Sequence, residues 1–351
     1  KAIARTRPFR YVSPVIATLR ADRVLGIEAA ATVDSVWASS GSPILGPWKA
    51  GANTQRLTLI DGRNLTVLID TSGQADADLV NVSLGRVKAS VISDALAAYA
   101  AARFPQLAFS EEIADPVPLF FGVRRNATRL REAMDNWLAD PEEKEALAMF
   151  MSAYGARIPE RGPLGRTRKL RLDGDSLSPY DSLFQESMLR HDWELLAAIA
   201  FKESRFDTTA LSGKGAQGMM QMMPNTAEKY GSDSLHLMEA QVQAAAKYLA
   251  ALDTIWLRSI TDPEERVRFV LAAYNAGPGH VLDAQRLARV LGLDPHKWEG
   301  HTERAITLLA LPQFFTRDDM TSGPCQGAQT FNYVREVTGL YEQFRALTEK
   351  E

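Results

Sequence analysis

Residues 194–227 read ELLAAIAFKESRFDTTALSGKGAQGMMQMMPNTA, and they place one carboxylate, Glu203, inside the apolar stripe of a helix. Counting back from Glu203 by four, seven and eight residues meets Ile199, Leu196 and Leu195, the positions that share its face, whereas Lys202 and Arg205 point elsewhere. A carboxyl group in apolar surroundings resists ionisation, so its pKa is expected above the ordinary value of about 4.3. Such a group holds a proton at neutral pH and can give it away. The same spacing also fits a structural Glu bonded to neighbouring backbone or to Arg205, and the helix alone leaves both readings open.

The chain is 351 residues long, 46% hydrophobic and 24% charged, which suits about two domains with cores of their own. A formal net charge of −3 gives no general attraction to nucleic acid or to an anionic membrane. One cysteine, Cys325, excludes an intrachain disulfide framework and is expected to be inert, and five scattered histidines make no metal-ligand cluster. No apolar run approaches the roughly 18 residues needed to cross a bilayer. The chain opens at Lys1 with neither Met nor a signal-like segment, as expected if a targeting sequence has been removed.

In the first 150 or so residues, short β-rich runs (LTLID, LTVLID, VKASVIS) alternate with helical stretches (DALAAYAAARF, RLREAMDNWLAD), the pattern of an α/β domain. Residues 158–178, rich in Pro, Gly and charge, read as a linker between a domain at 1–157 and another at 179–351. Beyond the linker nearly every segment has helical periodicity, over 182–190, 193–206, 225–230, 239–257, 264–274, 280–291, 302–310 and 331–347. The second domain therefore reads as all-α. There is no internal repeat and no low-complexity tract.

GKGAQG at 213–218 matches G-x-G-x-x-G, but that fingerprint needs a strand before it and a helix after it, and here a helix precedes it. The glycines are instead expected to let a loop pass close to the carboxylate and to something bound beside it. In MMQMMP, methionines suit an irregular core, yet Gln221 among them needs a hydrogen-bond partner, which a ligand could supply. RVRFVLAAYNAGPG is an apolar helix that Gly277, Pro278 and Gly279 stop, leaving Tyr274 and Asn275 at its end.

In this order the segments resemble the lytic transglycosylases of the soluble lytic transglycosylase, or goose-type lysozyme-like, family. The family's motifs read here Glu203-Ser204, Gly218-Met219-Met220-Gln221, Ala273-Tyr274-Asn275 and, within FNYV, Tyr333. Met219 stands where many members have Leu, a volume-conserving change. The resemblance implies an all-α lysozyme-like domain in which Glu203 is the single catalytic acid and base. It also implies that Ser212, Gln221, Met223, Tyr274, Asn275 and Tyr333 line a cleft for peptidoglycan glycan strands. No metal and no organic cofactor is implied. Glu203 would protonate the oxygen between N-acetylmuramic acid and N-acetylglucosamine, then draw the muramyl C6 hydroxyl onto C1, giving a 1,6-anhydro end. That double role asks for a pKa of roughly 6 to 7.

LSPYDSLFQESMLRHDWELLAAIAFKESRFD and the N-terminal half resemble, within that family, proteins in which a periplasmic solute-binding-like domain precedes the lysozyme-like one. GRVKASVISDALAAYAAARFPQL, followed by PLFFGVRRNATRLREAMDNWL, is similar to the closing half of an amino-acid-binding domain. The resemblance implies an α+β two-domain chain with a partial N-terminal α/β domain, its initial strands wanting before Arg7. Asp94 would face a muropeptide or amino-acid ligand there; the alternative is that it favours the first turn of the helix DALAAYAA through the helix dipole. The implied location is the periplasm, with the precursor associated with the outer membrane. Two other readings remain: a lysozyme-like muramidase, which would need a second carboxylate and would use water, and a non-catalytic wall-binding protein, whose hallmark would be loss of the acid. Asp207, one turn past Glu203, is open to either a second-acid role or a local backbone cap.

Overall fold

The computed structural model describes residues 3–20, 35–40, 42–45, 53–71, 77–156, 176–231 and 237–348, and the chain divides into two units, Lys1–Pro163 and Leu164–Glu351. The linker expected at 158–178 lies, over 158–175, outside the described residues.

The N-terminal unit is built on a mixed sheet in the order β4-β5-β3-β6-β2-β7, from β2 (Pro14–Leu19), β3 (Val36–Ser39), β4 (Thr54–Thr58), β5 (Asn64–Asp70), β6 (Ala89–Ser93) and β7 (Leu107–Phe109). β3 runs parallel to β5 and β6, while β2 is antiparallel to β6 and β7. The burial follows from the residues. In β5, Leu65, Val67 and Ile69 alternate with exposed Asn64 and Thr66, so one face is covered. In β6, Ala89–Ser93 is apolar but for two serines and buried throughout, as a strand sandwiched on both faces requires. Helices α1 (Ala77–Ser83) and α2 (Asp94–Ala101) pack on the sheet. A two-stranded antiparallel ribbon, β1 (Ile3–Val12) with β8 (Val117–Arg124), carries α3 (Thr128–Ala139), and α4 (Pro141–Ala156) follows. β1 is not among the β-rich runs read from the sequence; Arg and Pro interrupt its alternation, and its pairing with β8 has register shifts between Arg5 and Pro8 and between Pro8 and Arg10.

The C-terminal unit is helical: α5 (Asp181–Ser187), α6 (Trp193–Ser204), α7 (Pro224–Lys229), α8 (Met238–Trp256), α9 (Pro263–Ala276), α10 (Pro278–Val290), α11 (Glu303–Leu308), α12 (Pro312–Phe315) and α13 (Gly327–Thr348). In α6 the run Leu195–Ala200 is buried on every side, which makes it the central helix. Polar groups fix α13 beside it: Tyr341 Oη donates to Asp192 at 2.7 Å, Thr348 Oγ1 to Glu194 at 2.8 Å, and Lys202 pairs with Glu336. At the start of α13, Gly327 lies so close to α11 that an added Cβ would sit 1.9 Å from the Ile306 carbonyl oxygen; no other residue fits. The buried Asp253 of α8 is neutralised by Arg266 at 2.7 Å and by Arg190 at 3.4 Å.

Candidate active site

Glu203 occupies the last turn of α6 and is half-buried. The helix is stopped by two successive non-glycine residues in the left-handed region, Arg205 at φ 57° and Phe206 at φ 67°. Each costs about 1–2 kcal/mol in that region. The Phe206 ring offsets this by packing among Phe201, Phe184 and Tyr180, with centroids 5.6, 6.2 and 6.4 Å away. The helix thus ends directly after the Glu203-Ser204 pair. Ser204 then ties the helix end to the next motif, its Oγ donating to the Met219 carbonyl at 2.9 Å.

The segment between α6 and α7 folds into a tight loop. Gly218 N–H donates to the Ala210 carbonyl at 2.8 Å, and Ser212 N–H to the Ala216 carbonyl at 2.9 Å. Ser212 Oγ accepts from Ala216 N at 2.9 Å. The G-x-G-x-x-G glycines serve this turn, with Gly215 at φ 87° and Gly218 at φ 75°. The four methionines divide: Met219, Met220 and Met222 are core, and Met223 is 47% exposed at the N-cap of α7. Gln221, at φ 46°, turns its Nε2 onto two carbonyls, Gly218 at 2.9 Å and Ala210 at 3.1 Å. Its donors are therefore spent within the loop, and its Oε1 is left to accept.

At the end of α9, Tyr274 Oη donates to the Met220 carbonyl at 2.8 Å, and Asn275 Oδ1 accepts from the buried Thr330 of α13 at 3.0 Å. Tyr274 is half-buried; burial, then the charge of Glu203, raises its pKa well above the ordinary value. Tyr333 is 3% exposed, and the same two causes in the same order raise its pKa. Its hydroxyl makes no hydrogen bond of ordinary geometry, although the phenol also leans toward the Glu203 carboxylate. The two observations fit a contact that is close in space and outside good hydrogen-bond geometry. Both phenols stay protonated around the carboxylate.

Of the residues singled out by sequence, Glu203, Tyr274 and Tyr333 are brought together, and Ser212, Gln221 and Met223 lie on the loop that Ser204 and Tyr274 hold. Asn275 joins the group through α13. Asp207 is a local cap: its Oδ1 accepts from Thr209 N and Oγ1, both at 2.8 Å, which also lowers its pKa. Asp94 belongs to the other unit, where its Oδ1 accepts from Ser13 N at 3.1 Å and Ala95 N at 2.8 Å. Burial pushes the Cys325 thiol up to about 12. No group of three or more His, Cys, Asp or Glu among the described residues could hold a metal ion. Sequence reasoning missed Thr330 and Gln241. The signal for Gln241 was present: an amide on a face of α8 shared with Ala244, Ala245 and Leu249.

Residues 182–292, within the helical unit, match the Transglycosylase SLT domain. The chain as a whole is similar to membrane-bound lytic murein transglycosylase F: 27% identical to that of Desulfosudis oleivorans over 292 residues, 82% of this chain and 63% of the relative. With the protein of the same name from Maricaulis maris it shares 31% over 277 residues, 78% of this chain and 59% of the relative. The chain thus spans roughly three fifths of these curated relatives. Among solved structures it has a likeness to the 70 kDa soluble lytic transglycosylase SLT70 of Escherichia coli (TM-score 0.33, 24% identity, 48% of this chain and 24% of that one). Another is to an amino acid ABC transporter substrate-binding protein of Streptococcus pneumoniae bound to L-arginine (TM-score 0.33, 15% identity, 44% of this chain and 61% of that one). No helix among the described residues is long and apolar enough to cross a membrane.

Proposed function

We propose that the chain is a peptidoglycan lytic transglycosylase that acts in the periplasm, from a precursor held at the outer membrane, with Glu203 as its one acid and base. The observation that carries this reading is the half-buried Glu203 carboxylate beside two buried phenols, at the rim of a loop pinned by the other motif residues. The only other acid one turn away is committed to Thr209.

The hydrogen bonds already made set the polarity the site offers a sugar. Tyr274 has spent its proton on Met220, so its Oη can accept from an acetamido N–H. Gln221 offers Oε1 as a further acceptor, Ser212 keeps its O–H as a donor, and Asn275 offers its Nδ2–H groups. Met223 supplies exposed apolar surface alongside. In the reaction Glu203 gives its proton to the glycosidic oxygen between N-acetylmuramic acid and N-acetylglucosamine, and the C1–O bond breaks. The muramyl acetamido oxygen shares the positive charge at C1. The Glu203 carboxylate then takes the proton from the C6 hydroxyl as O6 bonds to C1, which restores the acid and closes the 1,6-anhydro ring. No water is consumed. In the N-terminal unit, the matching reading is a muropeptide or amino-acid ligand whose binding biases the catalytic unit, with Asp94 facing its ammonium group.

Digestion of purified sacculi in ¹⁸O-labelled water tests this reading: the products should be unlabelled anhydromuropeptides. Glu203→Gln should lower turnover by about 10²- to 10⁴-fold with folding intact. Reducing ends carrying ¹⁸O would move the protein to the muramidase class.

A further inference from the structure

Gln241 is 1% exposed in the first turn of α8, and its side-chain amide is spent on the loop that follows α6. Its Oε1 accepts from Met219 N at 2.7 Å, and its Nε2 donates to the Thr208 carbonyl at 3.3 Å. An N–H on one side and a C=O on the other fix the amide's orientation. Thr208 and Met219 are the two ends of the loop, so one buried side chain bridges its neck. The amide also lies against Gly218, where an added Cβ would fall 2.2 Å from Gln241 Oε1. The glycine of the Gly218–Gln221 motif is thus demanded twice, by φ 75° and by the Gln241 amide.

Met219 and Met220 are held from three directions. Gln241 takes the Met219 N–H, Ser204 takes its carbonyl, and Tyr274 takes the Met220 carbonyl. Ser204 and Tyr274 flank Glu203 on their own elements; Gln241 comes from α8 and belongs to none of the recognised motifs. We propose that Gln241 is a positioning residue for catalysis: it sets the register of the 208–221 loop, and so where Ser212 and Gln221 meet the glycan relative to Glu203. This rests on the reading of the Glu203 site as a transglycosylase.

The test uses the whole chain. Gln241→Ala should speed amide exchange across 208–222 by roughly tenfold or more, as loss of a buried hydrogen bond does. It should lower kcat/KM on purified sacculi by about 10- to 100-fold, mostly through kcat, because displacements of about 1 Å cost that much. Gln241→Glu supplies a signature that a packing defect lacks. Protonated, the new carboxyl copies both bonds, accepting from Met219 and donating to Thr208; ionised, it sets a negative charge against the Thr208 carbonyl. Its activity relative to wild type should be near parity at low pH and fall roughly tenfold as pH rises, with loop exchange following, while the ratio for Gln241→Ala stays flat. Gly218→Ala should be less harmful in the Gln241→Ala background than alone, since one of its two obstacles is gone. Unchanged loop exchange in Gln241→Ala, or a pH-independent ratio for Gln241→Glu, overturns the proposal. If wild type leaves sacculi intact, the enzymatic reading fails; the pH dependence of loop exchange in Gln241→Glu then decides for or against the clamp by itself.

Discussion

Tyr333→Phe should make the protein more stable and less active. The Tyr333 hydroxyl is buried without a hydrogen bond of ordinary geometry, and a polar group so placed costs about 1–3 kcal/mol. Phe keeps the ring that packs in α13 and removes only the oxygen. Allowing that the nearby Glu203 carboxylate recovers part of the cost, the gain is about 1–2 kcal/mol, or roughly 2–8 °C in Tm for a unit of this size. The same hydroxyl faces the carboxylate that changes charge during turnover. If the contact tightens onto the ionised carboxylate during turnover, it becomes a hydrogen bond to a charged group, worth about 1.5–3 kcal/mol, so kcat/KM should drop by about 10- to 150-fold. Calorimetric unfolding and the release of soluble muropeptides from sacculi read the two effects on one preparation. A variant that melts earlier and turns over within about threefold of wild type would show the hydroxyl to be a structural group, and the reasoning would fall.

Gly327→Ala should lower both stability, by about 1–3 kcal/mol or more, and turnover: the new methyl meets α11 backbone, and Tyr333 moves with α13; chemical denaturation and activity assays check it. In the N-terminal unit, burial raises the Asp78 carboxyl to about 6, with the Asp70 charge adding to it and a hydrogen bond from Ser39 N opposing. The folded unit then holds a proton that the unfolded chain releases between roughly pH 4 and 6, so stability is lost as pH rises through that window, by about 3 kcal/mol in all. Asp78→Asn keeps the acceptor for Ser39 and should raise the melting temperature at pH 7 while flattening that dependence; a lower melting temperature would refute it. Titration calorimetry with wall stem peptides should give heat with wild type and none with Asp94→Ala if Asp94 holds an ammonium group. Equal heats, or none in either, would leave it as the residue that ties Ser13 N to α2.

The sequence carried the division into an α/β half and a helical half, because hydrophobic period depends only on which side chains a regular element must bury. It also singled out Glu203 as an unusual residue, since a charge in an apolar stripe is costly enough to show in one dimension. The order of the sheet and the pairing of β1 with β8 were not legible there, being long-range partnerships that local propensity does not encode. Tertiary structure likewise decided what each motif residue has left to offer. Gln221 reads in sequence as a polar group in want of a partner and Tyr274 as a side chain left at a helix end. The fold supplies the partners from its own backbone, Gly218 and Ala210 for Gln221 and Met220 for Tyr274, which leaves each an oxygen that can accept. Gln241 is the same kind of anomaly as Glu203, a polar group on a buried helix face. Only the folded chain shows it to be the partner of Met219, because a buried amide takes its meaning from whichever backbone groups lie within hydrogen-bond reach.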